Sequence, residues 1–416
     1  MAGVAQAGRG PTAGKERWDV AKKIAIAALL ALAAGGPARG AARAVPGVTD
    51  GEVVLGMSVP LSGPAAAWGT LALAAEAWAR HVNAEGGVHG RKIRVRIMDD
   101  GYVPGRAVAN FHEAKDDVFA MVGTMGTAVL GATKEVVAEA RLPWVYPLGN
   151  PRLFAGLPRE KVATTFMEYP DYADEGAFLA RQAAALAGAR SIGFFGQNDD
   201  YGKTGLDGVR RGVAGLPGVR LTAEVLYEVT DREMGTQAVR LKESGADAVI
   251  LYATSAHAAS LVKEMARIGY RPKLFASFTL SDRDRMFGLL GELWEGAWFD
   301  THIAQRGEPA ADRVLSVVLP LEPRLAGHEG TAVHGVAAMM VAVEGLRRAG
   351  RDLTREGFVR ALEGLRGWSP GGLSAPVTFG PGRHHGLNAV RLLQALSAKD
   401  RSFRQVTGDR SFPTLF

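Results

Sequence analysis

No cysteine occurs among the 416 residues. That single absence excludes disulfides, thiolate zinc sites, a cysteine nucleophile and the acylated cysteine that would anchor a lipoprotein. Catalytic signatures are missing as well, since no GxSxG, P-loop, HExxH or dinucleotide fingerprint follows a predicted strand in usable form. Long apolar runs are scarce. The longest near the amino terminus, 24–34, is about a dozen residues, short of the roughly 20 needed to cross a bilayer. Charged residues make up 22% of the chain and hydrophobic ones 47%, enough for one large core or two medium ones, and two lobes are the natural expectation.

Residues 1–44 read as an export leader. Arg9, Lys15, Arg17, Lys22 and Lys23 precede the short apolar run, and Ala42-Arg43-Ala44 fits an A-x-A cleavage site. There is no Arg-Arg pair and so no sign of twin-arginine export. Removing the leader removes much of the excess positive charge, so the formal net charge of +6 and the sequence pI near 9.5 are not a nucleic-acid footprint. A soluble periplasmic protein is expected.

The most informative stretch is 52–100. Val53, Leu55, Met57 and Val59 are close-spaced and apolar, as in a strand covered on both faces, and Leu61-Ser62-Gly63-Pro64 breaks the run before a helix. A glycine turn and a second strand complete a βαβ unit. The loop between strand and helix then lies beyond the carboxyl end of a strand, where open α/β sheets bind ligands. Ser62 and first-turn amides can hold an anion or carbonyl, and Trp68 offers a flat apolar wall. From there the chain alternates short apolar runs with amphipathic stretches, the pattern of doubly wound α/β layers. Strands are predicted over 93–98, 119–122 and 143–147 in one sheet and over 191–195, 221–227 and 248–252 in a second. Leu71, Ala75, Trp78 and Val82 share one helix face, and Val129, Thr133, Val136, Val137 and Ala140 another.

The segments SGPAAAWG, NAEGGVHGRKIRVRIMDD, LPWVYPLGNPRLF and GQNDDYGKTGL, taken in order, resemble the type I periplasmic binding proteins of the leucine/isoleucine/valine-binding kind, the solute receptors of ABC importers. The resemblance covers about 48–405. It implies two doubly wound, Rossmann-like α/β lobes joined by a three-segment hinge: 48–167 with 303–376 as the first lobe, 168–302 with 377–410 as the second. The crossings would fall near 166–170, 299–303 and 376–379, where Pro-marked extended segments occur.

By the same resemblance, Trp68 covers the ligand side chain, and Thr124-Met125-Gly126-Thr127 forms the loop that holds a ligand carboxylate. Physically that loop is an anion nest with a hydroxyl, although Thr127 as an ordinary helix cap is an equal reading. Gly149 and Asn150 occupy the second carboxylate loop, which lacks the family's hydroxyl. Tyr201 is expected to close on the ligand from the opposite lobe, with Thr254 and Ser255 donating hydroxyls. The largest departure is at Phe278, in the loop where amino-acid binders carry an acid for the ligand ammonium. Asp282, Asp171 or Asp174 could substitute; without one, an uncompensated buried ammonium deters amino-acid ligands.

His384-His385 reads as a solvated pair in a Gly/Pro loop rather than a metal site, and the Asp99-Asp100 and Asp199-Asp200 pairs as turn and hinge caps. The expected function is capture of a small organic ligand (an amino acid, organic acid or amide) by cleft closure and its presentation to an ABC permease and its ATPase subunits. No chemistry, cofactor, metal or nucleic acid is expected, and the protein is expected to be a monomer. A sensory module of the same fold is the alternative.

Overall fold

The computed structural model describes residues 1–8 and 45–416. Residues 1–8 are exposed and have no regular secondary structure. The rest of the expected leader, with its basic residues, apolar run and A-x-A site, lies outside the described residues.

Strands β1 (Glu52–Val59), β2 (Lys92–Asp99), β3 (Ala120–Val122), β4 (Trp144–Val145) and β5 (Thr165–Phe166) form an all-parallel sheet in the order β2-β1-β3-β4-β5. Every residue of β1 after Glu52 is buried, the consequence of helices covering both faces of a parallel sheet. A second sheet is built from β6 (Ser191–Gln197), β7 (Arg220–Tyr227), β8 (Ala248–Tyr252), β9 (Lys273–Ala276) and β10 (Trp298–Thr301), parallel in the order β7-β6-β8-β9-β10. Three later strands extend it antiparallel: β11 (Ala389–Ser397) beside β10, then β12 (Ser402–Gln405) and β13 (Arg410–Ser411) on β11. The two five-stranded parallel parts share one winding, in which strand order reverses between the first and third strands. Two doubly wound α/β lobes are therefore present, as the alternation of apolar runs predicts.

Packing follows the expected faces. Helix Thr70–Ala84 buries Leu71, Ala75 and Val82 and half-buries Trp78, while helix Thr127–Ala140 buries Val129, Thr133, Val136 and Val137. The long helix Glu329–Ala349 returns to the first lobe and lies against Thr70–Ala84. Their approach is limited by Gly335, where an added Cβ would stand 2.0 Å from the Leu71 carbonyl oxygen. Among the described residues no helix is long and apolar enough to cross a membrane.

The chain passes from the first sheet to the second between Phe166 and the helix Tyr172–Ala187, and returns between Thr301 and the helix Pro309–Leu321. The third passage comes later than the Pro-marked stretch 376–379. Val377 still bridges Trp368, the Phe379 amide donates to the Leu365 carbonyl, and its ring meets Phe166 of β5 edge-on at 5.1 Å. The crossing falls near 384–388, where the Met167 amide donates to the His384 carbonyl (2.9 Å) and Gly386 N donates to Met167 O (2.8 Å).

His384 and His385 are thus not a solvated loop. His384 stacks on Phe166 at 4.2 Å and bonds the Val162 carbonyl and Glu363, while His385 bonds the Tyr169 carbonyl and accepts from Leu415 N. The pair ties the third crossing to the first. The carboxy-terminal tail lies along the same place, with Phe416 O accepting from both histidine amides and the Phe416 ring 5.3 Å from Phe154. Asp171, buried, accepts a two-pronged ion pair from Arg152 (2.9 and 2.5 Å) and caps the helix Tyr172–Ala187, so a side chain from beyond β4 grips the start of the second lobe.

Glu168, in the first crossing, is fully buried with neither carboxylate oxygen hydrogen-bonded. Burial pushes its pKa to about 8. The folded chain therefore keeps a proton that the unfolded chain releases above about 4.5, and stability attributable to this group falls between those values. Replacing Glu168 with Gln removes that dependence. In paired denaturation curves, Glu168→Gln is expected to gain about 2–4 kcal/mol more over the wild type at pH 8 than at pH 5. A difference between the two proteins that does not change with pH contradicts this account of Glu168.

Candidate functional site

The carboxyl ends of the two sheets meet across a cleft. Within it lie two small voids, of about 30 and about 10 Å³, which share Trp68 and Thr279 as walls. Each is closer to the size of a water than of an organic ligand, so admitting a ligand requires the lobes to part.

The larger void receives a residue from beyond nearly every parallel strand. Trp68 comes from the loop after β1, Tyr102 from after β2, Met125, Gly126 and Thr127 from after β3, and Leu148 from after β4. Tyr169 and Tyr172 follow β5, Gln197 ends β6 and Tyr201 lies just past it, Ala253 and Thr254 follow β8, and Thr279 follows β9. The winding dictates this convergence, because all parallel strands finish at one edge.

The nest after β3 is built by its glycine. Gly126 has φ of +111° and no room for a side chain: a Cβ would stand 2.6 Å from the Tyr102 ring. It is also the N-cap of helix Thr127–Ala140 and provides no side-chain cap, so first-turn amides are left to whatever occupies the cleft. Thr127 is the first helical residue rather than the cap, and its hydroxyl accepts from Asn150 N at 3.2 Å. Across the cleft, the Tyr201 hydroxyl pairs with the Thr279 hydroxyl at 2.5 Å, and Gln197 Nε2 reaches toward the Tyr102 hydroxyl at 3.4 Å. Thr254 caps helix Ser255–Arg267 and pairs with His257 at 2.7 Å. Among the described residues no charged side chain lines this void.

Of the residues expected at the site, Trp68, Met125, Gly126, Thr127, Tyr201 and Thr254 line the larger void, and Ser255 lines the smaller one with Trp68. Four do not line either. Ser62 donates to Asp99 Oδ2 at 2.6 Å and so braces its own loop. Although desolvation pushes the Asp99 pKa up, hydrogen bonds from Ser62, Gly101 and Leu61 hold it down at about 2. Gly149 packs against the start of helix Thr127–Ala140, where a Cβ would meet Thr127 at 3.2 Å. Asn150 turns its amide across the cleft, donating to Thr204 Oγ1 (2.8 Å) and Asp200 O (3.4 Å), and thereby joins the lobes directly. Phe278 is fully buried one layer down, stacked on Tyr172 at 5.5 Å and edge-on to Tyr169 at 4.9 Å, with its amide held by Glu175.

The candidate acids for a ligand ammonium are occupied. Asp171 is paired with Arg152, and Asp174 accepts from Asn388 Nδ2 at 3.1 Å. Asp282 caps the helix Arg283–Leu290 and accepts from both the amide and hydroxyl of Thr331 at 3.2 Å, a second bridge between the lobes. Its burial raises its pKa to about 6. Sequence reasoning missed Tyr102, Tyr169, Tyr172, Gln197 and Thr279. The available signal was position alone: each lies within a few residues of the carboxyl end of a parallel strand.

Similarity to known proteins fits this geometry. The Leu/Ile/Val-binding protein homolog 1 of Brucella abortus (strain 2308) is 26% identical over 232 residues, and the match takes in 54% of this chain and 60% of that protein's length. Among solved structures, a branched-chain amino acid ABC transporter protein from Thermus thermophilus with bound valine superposes with a TM-score of 0.76 at 20% identity, covering 87% of this chain and 97% of that one. A fatty acid ABC transporter substrate-binding protein from Thermomonospora curvata does so with a TM-score of 0.73 at 22% identity, covering 88% and 94%. The family model described as periplasmic binding protein matches residues 52–400, and the chain belongs to that family.

Proposed function

We propose that the protein is the solute receptor of an ABC importer, exported to the periplasm after cleavage of its leader near Val45, and that it captures a small organic acid or amide between its lobes as a monomer. The ligand's carboxylate or carbonyl end sits on the amides and hydroxyl at Gly126 and Thr127, its apolar body lies against Trp68, and Tyr201, Thr254 and Thr279 close from the second lobe. Closure adds contacts that the open form lacks, so ligand shifts the population toward the form a permease and its ATPase subunits would receive.

One observation carries the choice of ligand class: the larger void is lined by hydroxyls, amides and aromatic rings and by no carboxylate. An ammonium placed there would lose its hydration without a counter-charge, a cost of several kcal/mol. The Brucella relatives are named for leucine, isoleucine and valine, but among the described residues no acid lines this void. Asp171, Asp174 and Asp282 are each engaged elsewhere.

Calorimetric titration with leucine, isoleucine, valine, 4-methylpentanoate, 4-methyl-2-oxopentanoate and benzoate tests the reading. At least one acid without an α-amino group is expected to bind tenfold or more tighter than any of the three amino acids, about 1.4 kcal/mol. Tight leucine binding that Asp282→Ala abolishes would instead make this an amino-acid receptor. For the acid that binds best, Trp68→Ala should weaken affinity by about 1–3 kcal/mol, the scale of a buried aromatic contact. Unchanged affinity with an unchanged melting temperature removes Trp68 from the site.

A further inference from the structure

Beyond the Trp68 indole the cleft continues into the smaller void, and its chemistry differs from that of the larger one. Here Arg285 from the second lobe faces Thr331 and His334 from the first, with Ser255 and Asp282 alongside. Arg285 is half-buried, and its Nε donates to Ser255 Oγ at 2.9 Å, which fixes the guanidinium in place. Among the described residues it forms no ion pair. That is unusual for a desolvated guanidinium, which carries five N–H donors and normally meets an acid.

The nearest acid does not serve it. The Asp282 carboxylate accepts from the Arg285 backbone amide at 3.1 Å and from Thr331 twice at 3.2 Å, contacts that cap a helix and bridge the lobes. Opposite, His334 is 2% exposed and its Nδ1 has no hydrogen-bond partner. Its ring lies 5.4 Å from Trp68 and 5.0 Å from His302, so it is held at the back of this void by aromatic packing. Burial drives the His334 pKa down to about 3, which leaves a neutral imidazole able to donate one N–H. A guanidinium without a paired acid and a buried imidazole whose Nδ1 has no partner thus line one small space.

We propose that this second void is an anion subsite, in which Arg285 and His334 receive an acidic group at the far end of the ligand. This rests on the reading that the first end is a carboxylate or carbonyl at Gly126 and Thr127. The ligand class is then a diacid: two acidic ends separated by an apolar or aromatic middle that passes the Trp68 indole. The two voids share Trp68 and Thr279 as walls, so one elongated molecule spans both once the lobes have parted to admit it.

The test uses size-matched pairs of acids on the mature chain: adipate with hexanoate, suberate with octanoate, and terephthalate with 4-methylbenzoate. Each is titrated by calorimetry into wild type, Arg285→Gln and Arg285→Lys. In at least one pair the diacid should bind the wild type about tenfold or more tighter than its monoacid, the scale of a hydrogen bond to a charged group. Arg285→Gln should shrink that ratio at least about fivefold, and Arg285→Lys, which keeps the charge, should retain most of it. Monoacids that bind as well as their diacids in every pair, or a diacid preference that Arg285→Gln leaves intact, overturn the anion subsite while the carboxylate reading stands. Failure of every acid of either kind to bind overturns both.

Discussion

Five parallel strands in each lobe finish at the edge that faces the other lobe, and this constraint determines where everything else can be. Parallel pairing forces the chain to return along a helix after each strand, so every strand-to-helix turn falls on one side of its sheet. With two sheets of identical winding set edge to edge, the turns form a single cleft. The reversals of strand order, between β1 and β3 and between β6 and β8, place Trp68 and Thr127 on one wall and Tyr201 and Thr254 on the other. Among the described residues three connections link the lobes covalently, the terminal tail adds hydrogen bonds and ring packing at the hinge, and the cleft is otherwise held shut by side-chain bridges.

Those bridges are few and polar. Asn150 donates one hydrogen bond to Thr204 and Asp282 accepts two from Thr331, bonds that contribute about 0.5–1.5 kcal/mol net between neutral groups and about 1.5–3 kcal/mol where one group is charged. The hinge, by contrast, is braced by contacts to buried groups: Arg152 to the buried Asp171 carboxylate, His385 to the Tyr169 carbonyl, and His384 against Phe166. A stiff hinge with a weakly latched rim suits a molecule whose open and closed forms differ little in free energy, so that a ligand decides between them.

What was legible in the sequence was what depends on neighbours in sequence. The buried run of β1, the helix faces of Thr70–Ala84 and Thr127–Ala140, and the loops at Trp68 and Gly126 follow from local pattern. The misplaced residues are those whose partners lie far along the chain. Ser62 turns to Asp99, Asn150 to Thr204, and His384-His385 to carbonyls at Val162 and Tyr169. No periodicity reports such pairings. A Gly/Pro-rich loop containing two histidines looks solvated until a crossing strand is laid beside it. Tyr102 was hidden for a related reason: it follows Asp99-Asp100-Gly101, which reads as a turn, and its φ of +64° swings the ring back over Gly126.

The central claim is that ligand closes two lobes over a neutral, aromatic cleft with a basic far end. The absence of cysteine makes it directly measurable, because Ala128→Cys and Lys203→Cys, at exposed positions on opposite rims, give a protein with only two thiols to spin-label. Electron-electron resonance should report two inter-label distance populations without ligand, and saturation with the tightest-binding acid should collapse them onto the shorter. A single distance, unchanged at saturating acid, would contradict closure and with it the account of how this cleft works.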